Sequence, residues 1–183
     1  VYILTTKIIF LDFDGVLNST PFLEREGWFE GPLTQREHKF RCEHASSNVD
    51  VSDLRMIDRT KVILLNQIIE KTGAKVVISS SWRLGRNVDD LIDALEYHGF
   101  VGEVTSMTPE LCGAIRGEEI SEWMYDAMLL PGEDITFVIL DDDDDMGTLR
   151  GNLVQTSAKY GLTPYDVKRA IAVLNKDKEN ANI

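Results

Sequence analysis

Short apolar runs alternate along the chain with stretches whose apolar residues recur every three or four positions. The first run, residues 7–11, is Lys-Ile-Ile-Phe-Leu and leads directly into Asp12-Phe13-Asp14-Gly15. An unbroken apolar run fits a parallel strand covered on both faces, because such a strand has no solvent face to alternate with. Similar runs at 75–79 and 136–140, and shorter ones at 100–105 and 153–154, predict four more strands. Helical spacing falls between them: Val62, Leu65, Ile68 and Ile69 before Gly73, then Val88, Leu91, Ile92 and Leu95 between Asn87 and Gly99. A further helix is predicted over 118–129, with Ile120, Trp123 and Met124 inward, and a last one from the N-cap Thr163 and N1 Pro164 through Leu174. Strands and helices alternating at this length predict an α/β fold, a Rossmann-like parallel sheet with helices on both faces.

Residues 17–57 interrupt the pattern. Gly27, Gly31 and Pro32 break it, polar residues dominate from Arg36 to Asp53, and no long apolar periodicity survives. This stretch is expected to be a small cap inserted after strand one, over its end. Trp28, Phe29 and Phe40 are the candidates to anchor it, as packing residues more readily than as stacking ones. The polar tail beyond Lys176 is expected to fray.

At 183 residues the chain has the length of one domain, and its composition is that of a soluble globular protein. The net charge of -12 argues against a general affinity for phosphate backbones, although Asp141 to Asp145 hold a local share of it. Cys42 and Cys112 are too few for a disulfide framework. No run reaches membrane-spanning length and no secretory signal pattern opens the chain, so a cytoplasmic location without a membrane partner is expected.

Three apolar runs end in polar clusters: Asp12 with Asp14, Ser80 and Ser81 with Arg83, and Asp141 with Asp142. In one parallel sheet these ends share an edge, where open α/β sheets collect their ligands. Close carboxylates repel unless a cation or proton lies between them, and Mg²⁺ prefers oxygen ligands. A carboxylate nucleophile facing a phosphate needs such a cation, and the phosphoryl oxygens need donors such as hydroxyls and guanidinium groups.

With these residues in place, a resemblance follows. Leu11-Asp12-Phe13-Asp14-Gly15-Val16 resembles the first motif of the haloacid dehalogenase-like superfamily, Ile78-Ser79-Ser80-Ser81 its second, and Leu140-Asp141-Asp142 its fourth. The Ser-Ser-Trp-Arg segment, and Arg116-Gly117-Glu118-Glu119-Ile120 with Trp123, look most like phosphatase domains of polynucleotide kinase-phosphatases and RNA-repair proteins. The resemblance implies that Asp12 is the nucleophile of an aspartyl-phosphate and Asp14 the acid and base. It implies Mg²⁺ on the Asp12 carboxylate, the Asp14 main-chain carbonyl and Asp142, with Asp141 supporting. Ser80 would bind the transferring phosphoryl oxygen, with Ser79 the alternative one residue earlier and Ser81 beside it. The third motif's lysine has no counterpart between Lys75 and Lys159, which leaves Arg116 first and Arg83 second as the phosphate-binding cation.

The implied activity is Mg²⁺-dependent hydrolysis of a phosphomonoester, on a nucleotide or a nucleic-acid end. A phosphatase of small metabolites is the rival that the acidic balance favours. A catalytically silent relative acting as a binding module is the rival from another class, and a phosphotransferase stays open. Asp143 and Asp144 read as a solvated turn, and Asp145 as a brace for the metal site or a cap of the next short helix. His38, Cys42 and His44 lack the paired spacing of a zinc site and read as unliganded.

Overall fold

In the computed structural model, which describes residues 4–27, 31–128 and 133–176, five parallel strands form one sheet. They are β1 (Leu4–Leu11), β2 (Lys75–Ile78), β3 (Val104–Met107), β4 (Glu133–Asp141) and β5 (Leu153–Gln155), in the order β3-β2-β1-β4-β5. The helices are α1 (Thr20–Phe22), continued by a π turn over Leu23–Gly27, then α2 (Gln35–Glu43), α3 (Val51–Arg55), α4 (Arg59–Thr72), α5 (Val88–Tyr97), α6 (Arg116–Met128) and α7 (Pro164–Leu174). Residue alternation in β1 divides the core. Ile9 and Leu11 pack with α4, α5 and α7, whereas Ile8 and Phe10 pack with Ile120, Trp123 and Met124 of α6. Helices therefore cover both faces, as the apolar runs require. Among the described residues no helix is long and apolar enough to cross a membrane.

Local chemistry sets the helix limits. Asn87 and Asp90 form a reciprocal capping box at α5, and Thr163 and Asp166 do the same at α7, where Pro164 takes N1. Gly73 ends α4 in the left-handed region at φ 69°, open to glycine without a Cβ penalty.

Three strands start elsewhere than the sequence predicts. β1 and β4 are longer than their apolar runs because they pair with each other from Leu4↔Glu133 to Leu11↔Leu140, and this ladder begins among polar residues. β3 starts at Val104 rather than Phe100, because residues 99–103 turn around Asn66. The Asn66 side chain donates to the Gly99 carbonyl and accepts from the Val101 amide, which leaves neither group for a sheet ladder. α6 begins at Arg116, two residues earlier than expected, and the expected end at Leu129 lies outside the described residues. So do the side chains of Trp28 and Phe29 and the tail from 177.

The described part of residues 17–57, the stretch expected to be an insertion, forms short helices moored along the flank of α5. Phe40 is buried edge-on to Tyr97, the Asp90 carboxylate accepts from Ser47 and Asn48, and His98 Nε2 bonds the Leu54 carbonyl at 2.7 Å. Inside the insertion, Arg55 grips Glu37 at 2.7 Å. That guanidinium, with the Thr34 amide and hydroxyl, holds the Glu37 carboxyl down at about 2 despite its burial. A lowered carboxyl pKa contributes stability fully above the ordinary value near 4.5 and loses it as pH falls toward 2. Arg55→Met leaves Glu37 buried without its cation and is expected to cost up to roughly 3 kcal/mol. Limited proteolysis at neutral pH should then cut the insertion of the variant, and cut the parent only in acid.

Candidate active site

The register of the sheet builds the site. Leu11 pairs with Ile78 on one side and Leu140 on the other, so Ser79, Asp12 and Asp141 are the next residues on three adjacent strands. Backbone bonds continue past the last pairs: Ser79 N to Leu11 O at 2.9 Å, Asp12 N to Leu140 O at 3.0 Å, and Thr156 N to Asp141 O at 2.9 Å. Carboxylates from remote parts of the sequence thereby stand on one rigid edge.

Asp12, Asp141 and Asp142 each offer an oxygen within 4.8 Å of the others. Burial pushes the Asp12 carboxyl up to about 6, offset in part by the Ser80 hydroxyl hydrogen bond and by Arg116. Burial and the neighbouring Asp12 charge push Asp141 up to about 8, and burial also raises Asp142. The buried Asp141 Oδ2 has no hydrogen-bond partner among the described residues; Arg116 Nε stands 3.7 Å away. An all-oxygen trio, mutually repelling and with one orphaned carboxylate oxygen, suits a hard divalent cation. Mg²⁺ therefore fits these residues. Its binding would be accompanied by proton release, because ligating carboxylates must ionise.

Asp14 faces a different environment. Its Oδ1 accepts from Asn18 Nδ2 at 2.9 Å and its Oδ2 from Trp82 Nε1 at 3.0 Å. Gly15, with φ at 66°, lies against Asp142; a Cβ there would stand 2.3 Å from the Asp142 carboxyl. The Thr156 hydroxyl donates to its carbonyl at 2.7 Å and fixes the loop against the end of β5. Gly15→Ala is thus expected to strain the backbone by about 1–2 kcal/mol and to displace Asp142. Magnesium titration should show affinity weakened by about 10–100-fold, the range typical of a disturbed supporting shell.

The remaining expected residues separate clearly. Ser80 meets Asp12, whereas the Ser79 hydroxyl is buried without a hydrogen-bond partner among the described residues and Ser81 is exposed in the following turn. Arg116 opens α6 beside the trio, its amide bonded to Asp145 Oδ2 at 3.1 Å. Arg83 does not reach the trio as a free cation. Its buried guanidinium bonds the carbonyls of Thr108, Ser80 and Pro109 and pairs with Glu119 at 2.6 Å. Glu119 in turn lies 3.5 Å from Arg116 and links the two arginines. Asp145 caps α6, an earlier element than the short helix expected, and Asp143 and Asp144 are exposed. His44 stacks on Phe40 and stands 3.5 Å from Asp93, so His38, Cys42 and His44 form no ligand set among the described residues.

Sequence reasoning missed Asn18, Trp82 and Glu119. Asn18 had a usable signal, since Asn in a turn commonly bonds the backbone nearby, and its Oδ1 accepts from Gly15 N at 2.9 Å. Trp82 and Glu119 stand in the two segments that carry the family resemblance, but their contacts with Asp14 and Arg83 span long sequence separations, so no role was legible for them.

A central parallel sheet whose strand ends carry Asp12, Ser80 and Asp141-Asp142 defines the haloacid dehalogenase-like class. Residues 8–167 match the family described as "HAD domain in Swiss Army Knife RNA repair proteins", and the chain belongs to that family. Among solved structures it is similar to the HAD domain of effector protein Lem4 from Legionella pneumophila, at 18% identity and a TM-score of 0.50. That alignment covers 95% of this chain and 97% of the other and is a likeness of fold. No curated protein matches the chain significantly.

Proposed function

We propose that the chain is a Mg²⁺-dependent phosphomonoesterase that works through an aspartyl-phosphate on Asp12 and acts on nucleotide or nucleic-acid phosphate ends. The observation that carries this reading is the buried Asp12 carboxylate, bonded by Ser80 and flanked by Arg116, within reach of Asp141 and Asp142. The Asp12 and Asp142 carboxylates and the Asp14 main-chain carbonyl would hold the cation, with Asp141 supporting. When bound, it neutralises charge so that an anionic nucleophile and an anionic ester can meet. Asp12 attacks phosphorus as the P–O ester bond breaks, and Asp14 protonates the leaving oxygen. Asp14 then takes a proton from the water that attacks the aspartyl-phosphate, which frees inorganic phosphate and restores Asp12. The Ser80 hydroxyl and the Arg116 guanidinium bind the equatorial oxygens throughout.

The preference for nucleic-acid ends is supported by the RNA-repair setting of the family. It is opposed by the net charge of -12, which favours a small metabolite. Comparing kcat/KM for a phosphorylated oligonucleotide and the matching mononucleotide, at low and moderate salt, separates the two. The oligonucleotide is expected to be hydrolysed at least as efficiently, with efficiency falling as salt rises if exposed insertion cations such as Arg41 and Lys39 touch the backbone. A wide advantage for the mononucleotide at both salts would leave the metabolite phosphatase in its place. Absence of chelator-sensitive phosphate release from every ester would leave a binding module.

A further inference from the structure

We propose that the cavity beside the acidic trio receives the nucleoside whose terminal phosphate reacts at Asp12; this rests on the phosphomonoesterase reading. The cavity measures about 510 Å³ and opens where the segments after β2 and β3 meet the start of α6. Arg116 belongs both to its wall and to the trio, with its Nε 3.7 Å from Asp141 Oδ2. A phosphoryl group bound between Asp12 and Arg116 therefore has this space next to it for whatever it is esterified to.

The cavity is built in advance. Its floor is the buried Arg83–Glu119 pair at 2.6 Å, with Arg83 fixed by three carbonyls and Glu119 Oε1 by the Leu111 amide at 3.3 Å. Its lining also indicates what it takes. Leu84, Leu111 and Ala114 offer apolar surface, while Glu110 and Asp145 stand among them as acceptors. A nucleobase presents apolar faces and N–H donors at its edge, and a volume of this size is ample for a nucleoside. The carboxylates of Glu110, Glu119 and Asp145 outnumber the guanidinium groups of Arg83 and Arg116, and Arg83 is already engaged. A second phosphate is thus disfavoured inside the cavity, so the group it admits is one nucleoside, and the phosphodiester that follows it in a nucleic-acid end stays outside the mouth.

Cys112 lines the cavity and is exposed, so the space can be filled after folding. Cys42, exposed on α2 and absent from the lining, is first removed as Cys42→Ser. With Mg²⁺ present, labelling Cys112 with N-phenylmaleimide is expected to lower kcat/KM for adenosine monophosphate (3′ and 5′ isomers) by about tenfold or more, chiefly through KM. Hydrolysis of glycerol phosphate should change less than about twofold. An equal loss on both substrates, or no loss on either, overturns the proposal. Should the unlabelled chain hydrolyse neither, the phosphatase reading fails, and labelling kinetics decide the cavity alone. Adenosine monophosphate, and not inorganic phosphate, must then slow the reaction of Cys112; equal rates with and without the nucleotide overturn it.

Discussion

Asp12→Asn is expected to abolish phosphate release without unfolding the protein. The amide is nearly isosteric but lacks the anionic oxygen that forms the bond to phosphorus, and no neighbouring group is placed to replace it. Ser80 is a hydroxyl already bonded to Asp12, and Asp141 lies on the next strand among the proposed metal ligands. Burial already disfavours the charged form of Asp12, raising it to about 6, so removing the charge relieves a strain of the fold rather than adding one. The midpoint of thermal unfolding should therefore hold or rise while turnover disappears. On the proposed mechanism nucleophile and cation act as a unit, so chelation of the metal should cause a loss of the same order. Phosphate release by the purified variant, measured against a catalytically dead preparation, is the check. Turnover near the parental rate would remove the covalent mechanism.

The second large effect belongs to Asp14, and it depends on the leaving group. Asp14→Asn should slow hydrolysis of alkyl esters by roughly 10²–10⁴, the range for loss of a general acid or base. An activated phenol leaves without a proton, so in single-turnover measurements its first step should suffer far less. The water-attack step still needs a base, and the phosphoenzyme should accumulate. An amide keeps one acceptor oxygen for the two donors that hold Asp14, Trp82 at 3.0 Å and Asn18 at 2.9 Å, so one of these bonds is lost, while the Gly15 amide bond to Asn18 Oδ1 at 2.9 Å still holds the loop. Equal losses on activated and unactivated esters would show that Asp14 does not act as the acid.

The apolar runs announced the sheet because burial on both faces leaves strands no polar positions, and Asp12 and Asp141 were legible as the points where those runs stop. The ends of β1 and β4 near Leu4 and Glu133 were hidden because mutual pairing, not burial, makes them strands. The late start of β3 was hidden because Asn66, on a helix, claims the backbone at Gly99 and Val101. In the candidate site, the sequence offered both arginines as the phosphate-binding cation, Arg116 first and Arg83 second. Only the fold separates them, since Glu119 and three carbonyls hold Arg83. The Trp82 bond to Asp14 is of the same kind, a tertiary contact without a local pattern.

The alignment of Leu11, Ile78 and Leu140 has a consequence for how the chain folds. The strand bearing Asp12 is central and comes first in sequence, yet its partner β4 is near the far end of the described chain. Loop-closure entropy must be met before such a non-local parallel pairing returns any stabilisation, which makes this pairing intrinsically slow. A nascent chain that has formed only β1, β2 and β3 holds Asp12 and Ser80 but none of Asp141, Asp142 or the Arg116 helix. Such an intermediate presents Asp12 and Asp14 at a sheet end without Asp141 and Asp142, the other two members of the acidic trio. Assembly of the acidic trio and completion of the sheet are thus the same late event in the life of the chain.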